Sequence, residues 1–207
     1  MNKLVLIMTL VISLPLAAEG DIEAGKVLAT EKTCVACHGA NGVSLIPENP
    51  NLAGQHQNYL AKQLREFKLA MGSGGEEGRV NPVMGGMAMG LSEREITDLA
   101  AFYASLTPPD GTSPEFSLAV GKQLYFAGDA ERGLTACTAC HGPRGNGTPS
   151  SGFPRISGQH ADYIKTQLMQ FRAGTRANDA NEMMRAVAMK LTDAEIETLA
   201  AYLGGLH

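Results

Sequence analysis

The chain has 207 residues and a formal net charge of −4, with 44% hydrophobic and 18% charged residues. This balance is that of a folded globular protein, and without a basic excess it gives no electrostatic support for a nucleic-acid partner. Trp is absent and aromatic residues make up only 5%, so two small domains of this composition would have thin apolar cores.

The N-terminal segment, residues 1–20, is predicted to be a secretory signal peptide. It has an early lysine, an apolar run from Leu4 to Leu16 and then small residues, which is the order typical of such signals. The run is shorter than the roughly 20 residues that span a bilayer, which argues against the alternative of an uncleaved membrane anchor. Export would place the mature protein in the periplasm, an oxidising compartment where unprotected cysteines tend to pair.

The rest of the chain is a tandem duplication. The segment PNLAGQHQNYLAKQLREF from Pro50 matches PRISGQHADYIKTQLMQF from Pro154, and the last segments of the two copies match as well. We expect a first domain at 21–106, a second at 117–207 and a linker at 107–116. The linker contains three prolines, which favours a stiff, extended connection.

Both units are predicted to be helical. A first helix is expected at about Ile22–Lys32 and its counterpart at about Leu118–Phe126, and a second in the repeated segment after GQH, where apolar residues recur at helical spacing. The last helix of each unit begins with a capping box, S/T-x-x-E, at Ser92 and at Thr192. No alternating strand pattern is present, so the fold class is predicted to be all-α.

Each unit carries one Cys-x-x-Cys-His motif, and these motifs hold all four cysteines of the chain. This is the attachment pattern of c-type haem, because two cysteines three residues apart on a helical turn reach the two vinyl groups on one porphyrin edge, and the next residue faces the iron. We therefore predict two covalently bound haem c groups. The residues that would hold them are Cys34, Cys37 and proximal His38 in the first unit, and Cys137, Cys140 and proximal His141 in the second.

Other uses of the cysteines fit the pattern less well. A thioredoxin-like dithiol expects a strand–helix context. A zinc ribbon keeps its cysteine pairs closer together than the hundred or so residues between these two. Disulfides between the copies remain an alternative in an exported protein, but two motifs in register within a duplicated chain favour haem.

A methionine is predicted as the second axial ligand of each iron, as is usual in electron-transferring c cytochromes. Aligning the copies on their last helices pairs Met84 with Met184 and Met89 with Met189. We favour Met84 and Met184, which are expected in the loop before the last helix, and interpret Met89 and Met189 as filling the core. An iron with both axial positions filled leaves no site for a substrate, which predicts an electron carrier rather than an enzyme.

Two further histidines, His56 and His160, follow GQ in the two copies. They could supply bis-histidine ligation in place of methionine. A histidine beside a polar helix start is more often solvated or hydrogen-bonded, and we expect that role for both.

With these motifs the mature chain resembles the cytochrome c4 family of dihaem c-type cytochromes over essentially its whole length. The resemblance rests on the duplicated CxxCHG, on P-x-[LI]-x-G-Q-x-x-x-Y-[LI]-x-x-Q-L-x-x-F and on the closing L-[ST]-x-x-E-I-x-x-L-A-A-[FY]. It implies two cytochrome c folds related by a pseudo-twofold axis, with Met84 and Met184 as axial ligands. It also implies a respiratory carrier between a quinol-oxidising complex and a terminal oxidase, with peripheral membrane association left open.

The resemblance suggests roles for further residues. The carbonyls of Pro50 and Pro154 are candidates to accept a hydrogen bond from the proximal histidines, which would tune their basicity. Six side chains are candidates for contacts with haem propionates: Tyr59, Gln63, Arg79, Tyr163, Gln167 and Arg176. The glycine-rich insertion GSGGEEG before Arg79 has no counterpart in the second copy, which leaves the contacts of the first copy unsettled.

Two other functions share part of this pattern. The chain could be the dihaem subunit of a periplasmic oxidoreductase such as a flavocytochrome, with a permanent partner. A dihaem peroxidase would need an iron with an open distal position, and the paired methionines argue against it. Arg144 and Arg155 have no counterparts in the first unit, so the two halves are expected to face different redox partners.

Overall fold

Residues 20–206 of the chain are described by a computed structural model, in which ten α-helices form two successive sets of five. The predicted signal segment, except Gly20, and the terminal His207 lie outside the described residues. Within 20–206 the β-structure is limited to two isolated bridges, which confirms the predicted all-α class. No helix in this range is long and apolar enough to cross a membrane.

The two sets of helices follow one another in the same order. The first half contains α1 (Ile22–Glu31), α2 (Cys34–His38), α3 (Gln57–Gly72), α4 (Pro82–Met89) and α5 (Glu93–Ser105). The second half contains α6 (Glu115–Ala127), α7 (Thr138–His141), α8 (Ala161–Ala173), α9 (Met183–Ala188) and α10 (Asp193–Gly204).

The helix α6 begins earlier than the sequence pattern suggested. It starts at Glu115, so the last two residues of the segment expected as linker are helical. Pro114 precedes it at the N-cap with φ −65°, and an acidic residue in the first turn interacts favourably with the helix dipole. The α1 prediction, in contrast, is correct to within one residue.

The terminal helices of each half pack closely because glycine lies at their contact. A Cβ atom added to Gly25 on α1 would lie 2.0 Å from the Asp98 carbonyl oxygen on α5. The equivalent atom on Gly121 of α6 would lie 2.5 Å from Cβ of Tyr202 on α10. Only glycine allows the backbones to approach this closely, and the repeated contact gives both halves the same frame.

Both predicted capping boxes are present. The Ser92 hydroxyl accepts a hydrogen bond from the Glu95 amide at 3.3 Å, and the Glu95 carboxylate accepts one from the Ser92 amide at 2.8 Å. Thr192 and Glu195 make the same pair of bonds at the start of α10. These bonds satisfy amide groups that a helix start otherwise leaves without partners.

Each half has its own apolar core. The first is built around Ile96 and Leu99 of α5, and the second around Ile196 and Leu199 of α10. The contacts between the halves include, in contrast, many hydrogen bonds of polar side chains, some to backbone groups and others to polar side chains of the other half. The two candidate sites therefore have separate apolar walls and share a polar interface.

Candidate functional site

The first Cys-x-x-Cys-His motif forms the short helix α2, and the second forms the short helix α7 with Cys137 as its N-cap. The cysteine thiols are free. Cys34 and Cys137, the first cysteine of each motif, pack against the apolar cores. Burial raises the pKa of the Cys34 thiol, and it raises the pKa of Cys137 to about 11. These are protonated thiols in an apolar setting, unlike the electropositive surroundings of a reactive thiolate.

The motif histidines are buried and held in one tautomer. Nδ1 of His38 lies 2.9 Å from the carbonyl oxygen of Pro50, and Nδ1 of His141 lies 2.9 Å from that of Pro154. A carbonyl oxygen only accepts, so Nδ1 carries the hydrogen in both rings. The predicted proline contacts are therefore confirmed.

The other ring nitrogen, Nε2, is left with its lone pair. Neither His38 nor His141 hydrogen-bonds through Nε2 to any group in residues 20–206. Burial lowers the pKa of both imidazoles, against the opposing effect of the proline carbonyls. A neutral imidazole with Nδ1–H hydrogen-bonded and Nε2 available is the form that ligates a metal.

The methionines favoured as ligands are more buried than the other methionines of the same segments. Met84 and Met184 are half-buried and pack against the same cores as Cys34 and Cys137, respectively. The other methionines of these segments are exposed: Met87 38%, Met89 47%, Met183 39% and Met189 69%. The interpretation of Met89 and Met189 as core residues is therefore wrong.

The favoured methionines lie on helices, where the sequence had suggested a loop. The helix α4 begins at Pro82, with the Asn81 side chain accepting from the Met84 amide at 2.9 Å. Asparagine as N-cap followed by proline is a strong helix start, but the glycines after Met84 obscured it. In the second half, the Asp179 carboxylate accepts from the Arg185 amide at 3.0 Å and supports the short α9.

The remaining paired histidines are engaged between the halves. Nε2 of His56 lies 2.7 Å from the Asn146 carbonyl oxygen, and Nε2 of His160 lies 3.0 Å from that of Ser44. In both pairs the carbonyl oxygen accepts. The contacts favour the predicted hydrogen-bonding role over ligation of iron.

The six side chains considered for propionate contacts form one network across the interface. Arg79 donates to Gln63 of its own half at 2.7 Å, and to Tyr163 at 3.0 Å and Gln167 at 2.6 Å in the other half. Arg176 mirrors this arrangement: it donates to Gln167 at 2.7 Å, and to Tyr59 at 2.9 Å and Gln63 at 3.3 Å. The pseudo-twofold relation between the halves is therefore explicit in these contacts.

Both guanidiniums of this network are buried. Arg79 is 7% exposed and Arg176 is 6% exposed, and within residues 20–206 neither forms an ion pair. Each stacks on a phenylalanine, Phe67 or Phe171, at 4.7 and 4.4 Å. Burial of a charge without a counter-charge is costly, so this interface is suited to an anionic group.

The glycine-rich insertion does not displace Arg79. Its amide donates to the Glu66 carbonyl oxygen at 3.0 Å, and the Arg176 amide makes the corresponding bond to Gln170 at 3.1 Å. Both arginines are thus held against equivalent positions of the preceding helix, Glu66 of α3 and Gln170 of α8, despite the insertion.

The combined groups in each half fit a haem c. The set consists of two free thiols, a buried neutral imidazole and a half-buried thioether. The two buried guanidiniums between the halves would complement its anionic propionates. The described residues contain no group of three or more His, Cys, Asp or Glu side chains that could hold a bare metal ion.

Two glutamines at the interface were missed by the sequence reasoning. Gln55 accepts from the Arg155 amide at 3.0 Å and donates to the Arg155 carbonyl oxygen at 2.8 Å. Gln159 makes the same pair of bonds with Asn51, at 2.8 and 2.9 Å. The repeated GQH segment could have indicated these residues, but only its histidine was considered as a candidate.

These contacts also change the interpretation of Arg155. Its backbone lies in the interface, it is half-buried, and its guanidinium donates to Asn146 at 2.7 Å. Arg144, in contrast, is exposed. Of the two arginines unique to the second half, only Arg144 is free to meet a partner.

Comparison with known families gives a consistent result for both halves. The family model described as cytochrome c matches residues 22–107 and again residues 118–207. The two matches together cover most of the chain, one for each set of five helices.

Individual relatives cover nearly the full length. A cytochrome c4 from Thiocapsa roseopersicina is 45% identical over 188 residues, covering 90% of this chain and 93% of that protein. A thiosulfate dehydrogenase electron acceptor from Thiomonas intermedia is 38% identical, covering 83% of this chain and 77% of that one. The crystal structure of reduced cytochrome c4 from Pseudomonas stutzeri superposes with a TM-score of 0.87 at 41% identity, covering 91% of this chain and 100% of that structure.

Proposed function

The chain belongs to the cytochrome c family, in its two-domain cytochrome c4 form, and we propose that it transfers electrons in a periplasmic respiratory chain. It is a dihaem electron carrier and not an enzyme. Donor and acceptor in the proposed route are a quinol-oxidising complex and a terminal oxidase. The predicted signal segment supports export, and peripheral association with the membrane is compatible with it.

The observation that carries the proposal is the presence in each half of a buried imidazole and of a half-buried thioether packed against the core of that half. We propose that Cys34, Cys37, Cys137 and Cys140 form the thioether links to haem. The axial ligands proposed are His38 and Met84 in the first half, and His141 and Met184 in the second. Haem c would supply reversible one-electron chemistry, and an iron held by both a histidine and a methionine of this chain would keep no position for a substrate.

The chain's own residues keep this chemistry to electron transfer. The Pro50 and Pro154 carbonyls fix the orientation of the imidazoles and raise their strength as ligands. The separate apolar cores exclude water from one side of each site. Rigid ligands in a dry environment change little between oxidation states, so electron transfer requires little reorganisation.

A redox titration of the purified holoprotein, followed in the visible spectrum, tests the proposal. Intact mass should first show two covalent haems, and the titration should then show two one-electron steps with low-spin spectra in both oxidation states. A high-spin haem in the ferric protein, or turnover of hydrogen peroxide, would contradict the carrier function.

A second candidate function is supported by one comparison. The similarity to a thiosulfate dehydrogenase electron acceptor favours a dedicated acceptor for a periplasmic oxidoreductase, a flavocytochrome being another example of that arrangement. The two candidates differ in the permanence of the partner. Purification under mild conditions should yield the free protein if it is a diffusing carrier, and a stoichiometric complex with an oxidoreductase if it is a subunit.

A further inference from the structure

The peptide groups that hold the proximal histidines are themselves held by the opposite domain. The Pro50 carbonyl, which accepts from Nδ1 of His38, and the amide of Asn51 belong to one peptide group. That amide donates to Oε1 of Gln159, in the other half, at 2.8 Å. Residues 20–206 contain no cis peptide, and a trans peptide directs its C=O and N–H to opposite sides. One peptide therefore connects a histidine in one half with a glutamine in the other.

The arrangement is reciprocal. The Pro154 carbonyl accepts from Nδ1 of His141, and the Arg155 amide of the same peptide donates to Oε1 of Gln55 at 3.0 Å. The orientation of each glutamine amide follows from its partners, since Nε2 also donates to the carbonyl oxygen of the same residue, Asn51 or Arg155. A backbone N–H only donates and a C=O only accepts, so the oxygen of each glutamine faces the peptide N–H.

Hydrogen bonds in such a chain reinforce one another. When the glutamine Oε1 accepts from the peptide N–H, the negative charge on the carbonyl oxygen of that peptide increases. This carbonyl oxygen then accepts more strongly from the histidine Nδ1–H. A stronger bond at Nδ1 gives the imidazole more anionic character and makes Nε2 a better electron donor to a metal. Improved donation favours the ferric over the ferrous state and lowers the reduction potential.

We propose that Gln159 and Gln55 are positioning residues that tune the reduction potential of the opposite domain: Gln159 acts through His38, and Gln55 acts through His141. The inference rests on the proposed axial role of these histidines. Each domain then contributes to the potential of the other, and any shift in the interface changes both irons through the backbone.

Substitution of either glutamine by leucine tests the crossed relation. In holoprotein whose two covalent haems are verified by intact mass, the two potentials are measured by spectroelectrochemistry and assigned to the halves by paramagnetic NMR. Gln159→Leu is expected to raise the potential of the first-half haem, changing its redox equilibrium about threefold, since part of the net value of one hydrogen bond reaches the iron. Gln55→Leu is expected to raise only the potential of the second-half haem.

The matched control is His56→Ala. His56 is next to Gln55 and also contacts a backbone carbonyl across the interface, that of Asn146, but this carbonyl does not bond a proximal histidine. The substitution is expected to leave both potentials unchanged. Equal shifts in both halves for all three variants would show that opening of the interface is the cause, and would overturn the proposal.

A second readout does not depend on potentials. In the reduced protein, the Nδ1–H proton resonance of His38 should move upfield in Gln159→Leu and stay in place in Gln55→Leu. Gln159→Glu retains an oxygen to accept from the Asn51 amide, so this resonance should not move upfield in it. A shift confined to the half that carries the mutated residue, or no shift in any variant, rejects the crossed tuning. Failure to load two haems in the wild type would instead reject the proposed function.

Discussion

Arg79 and Arg176 come from different domains and donate to the same two acceptors, Gln63 and Gln167. Both cations are buried, and their proximity lowers the pKa of the Tyr59 hydroxyl although burial alone would raise it. The interface thus concentrates positive charge where the proposed haem propionates would need it.

Replacement of Arg79 by methionine should lower the reduction potentials of both haems. Ferric haem carries one more positive charge than ferrous haem, so loss of a nearby buried cation favours the ferric state. The variant also removes the donor to the Tyr163 hydroxyl and one of the donors to Gln63 and Gln167, at a cost of about 1–3 kcal/mol in unfolding free energy. Spectroelectrochemistry and denaturant unfolding of the holoprotein measure the two effects.

Arg65→Met is the control for this change. Arg65 pairs with Glu93 at the surface at 2.7 Å, and such pairs contribute about 0–1 kcal/mol. If the potentials of the Arg79 and Arg65 variants fell by the same amount, the shift would come from net charge and not from the interface site.

Replacement of Met84 or Met184 by alanine should remove one thioether ligand and leave the other haem intact. The expected signs are loss of half of the far-red charge-transfer absorption of the ferric protein, and a fall in one potential, because methionine ligation raises it. Met89→Ala and Met183→Ala remove exposed methionines from the same segments and should keep the full absorption. Loss of the band in Met89→Ala but not in Met84→Ala would transfer the ligand assignment to Met89.

The capping box of α5 should make the stability of the first domain depend on pH in the acid range. Hydrogen bonds from the Ser92 amide and hydroxyl, together with the contact with Lys32, lower the pKa of Glu95 from 4.5 to about 2. A lowered pKa means that the ionised carboxylate stabilises the folded state, fully so above about 4.5 and progressively less as the pH falls toward 2.

Glu95→Gln isolates this contribution, because glutamine also serves as the third residue of a capping box. Its unfolding free energy should fall less steeply than that of the wild type between about pH 5 and pH 2.5. Glu48→Gln, at an exposed carboxylate outside the capping boxes, should retain the wild-type slope. Parallel slopes in all three proteins would mean that Glu95 titrates alike in the folded and unfolded chains.

Reversal of charge at Arg144 should alter electron exchange through the second domain. Arg144 is exposed three residues after His141, so Arg144→Glu should slow oxidation by anionic hexacyanoferrate roughly two- to fivefold at low ionic strength. Lys122→Glu makes the same charge change at an exposed position of α6. Equal slowing by both substitutions in stopped-flow measurements would assign the effect to overall charge.

The local chemistry was predictable from sequence, whereas the contacts between domains were not. The Cys-x-x-Cys-His motifs and the Ser92–Glu95 box act within a few residues, and the duplication doubled each signal. The alignment of the copies narrowed the ligand candidates to Met84 with Met184 or Met89 with Met189, and the segment of α4, which contains two adjacent glycines, was expected as a loop. A regular helix start at Asn81 and Pro82 overrode that composition.

The glutamine contacts illustrate why the rest could not be predicted. Gln55 and Arg155 are separated by 100 residues, and no local rule relates a side-chain amide to a peptide that far along the chain. Arg144 and Arg155 posed the same problem, because only the packing of the halves shows that Arg155 is half-buried with its guanidinium bonded to Asn146, whereas Arg144 is exposed. Pairing across a pseudo-twofold axis becomes visible only once both copies are placed.

The polar character of the surface between the halves has a consequence for how such a duplicated protein can be taken apart. Cleavage of the connector between Leu106 and Pro114, followed by separation of the halves, would expose amides, hydroxyls and guanidiniums. Each set of five helices would keep its own apolar interior. An isolated half should therefore remain a monomer in solution and should not aggregate. Fusion of two such units in one gene would have required complementary polar residues at the surface between them. It would not have required substitutions in either apolar interior.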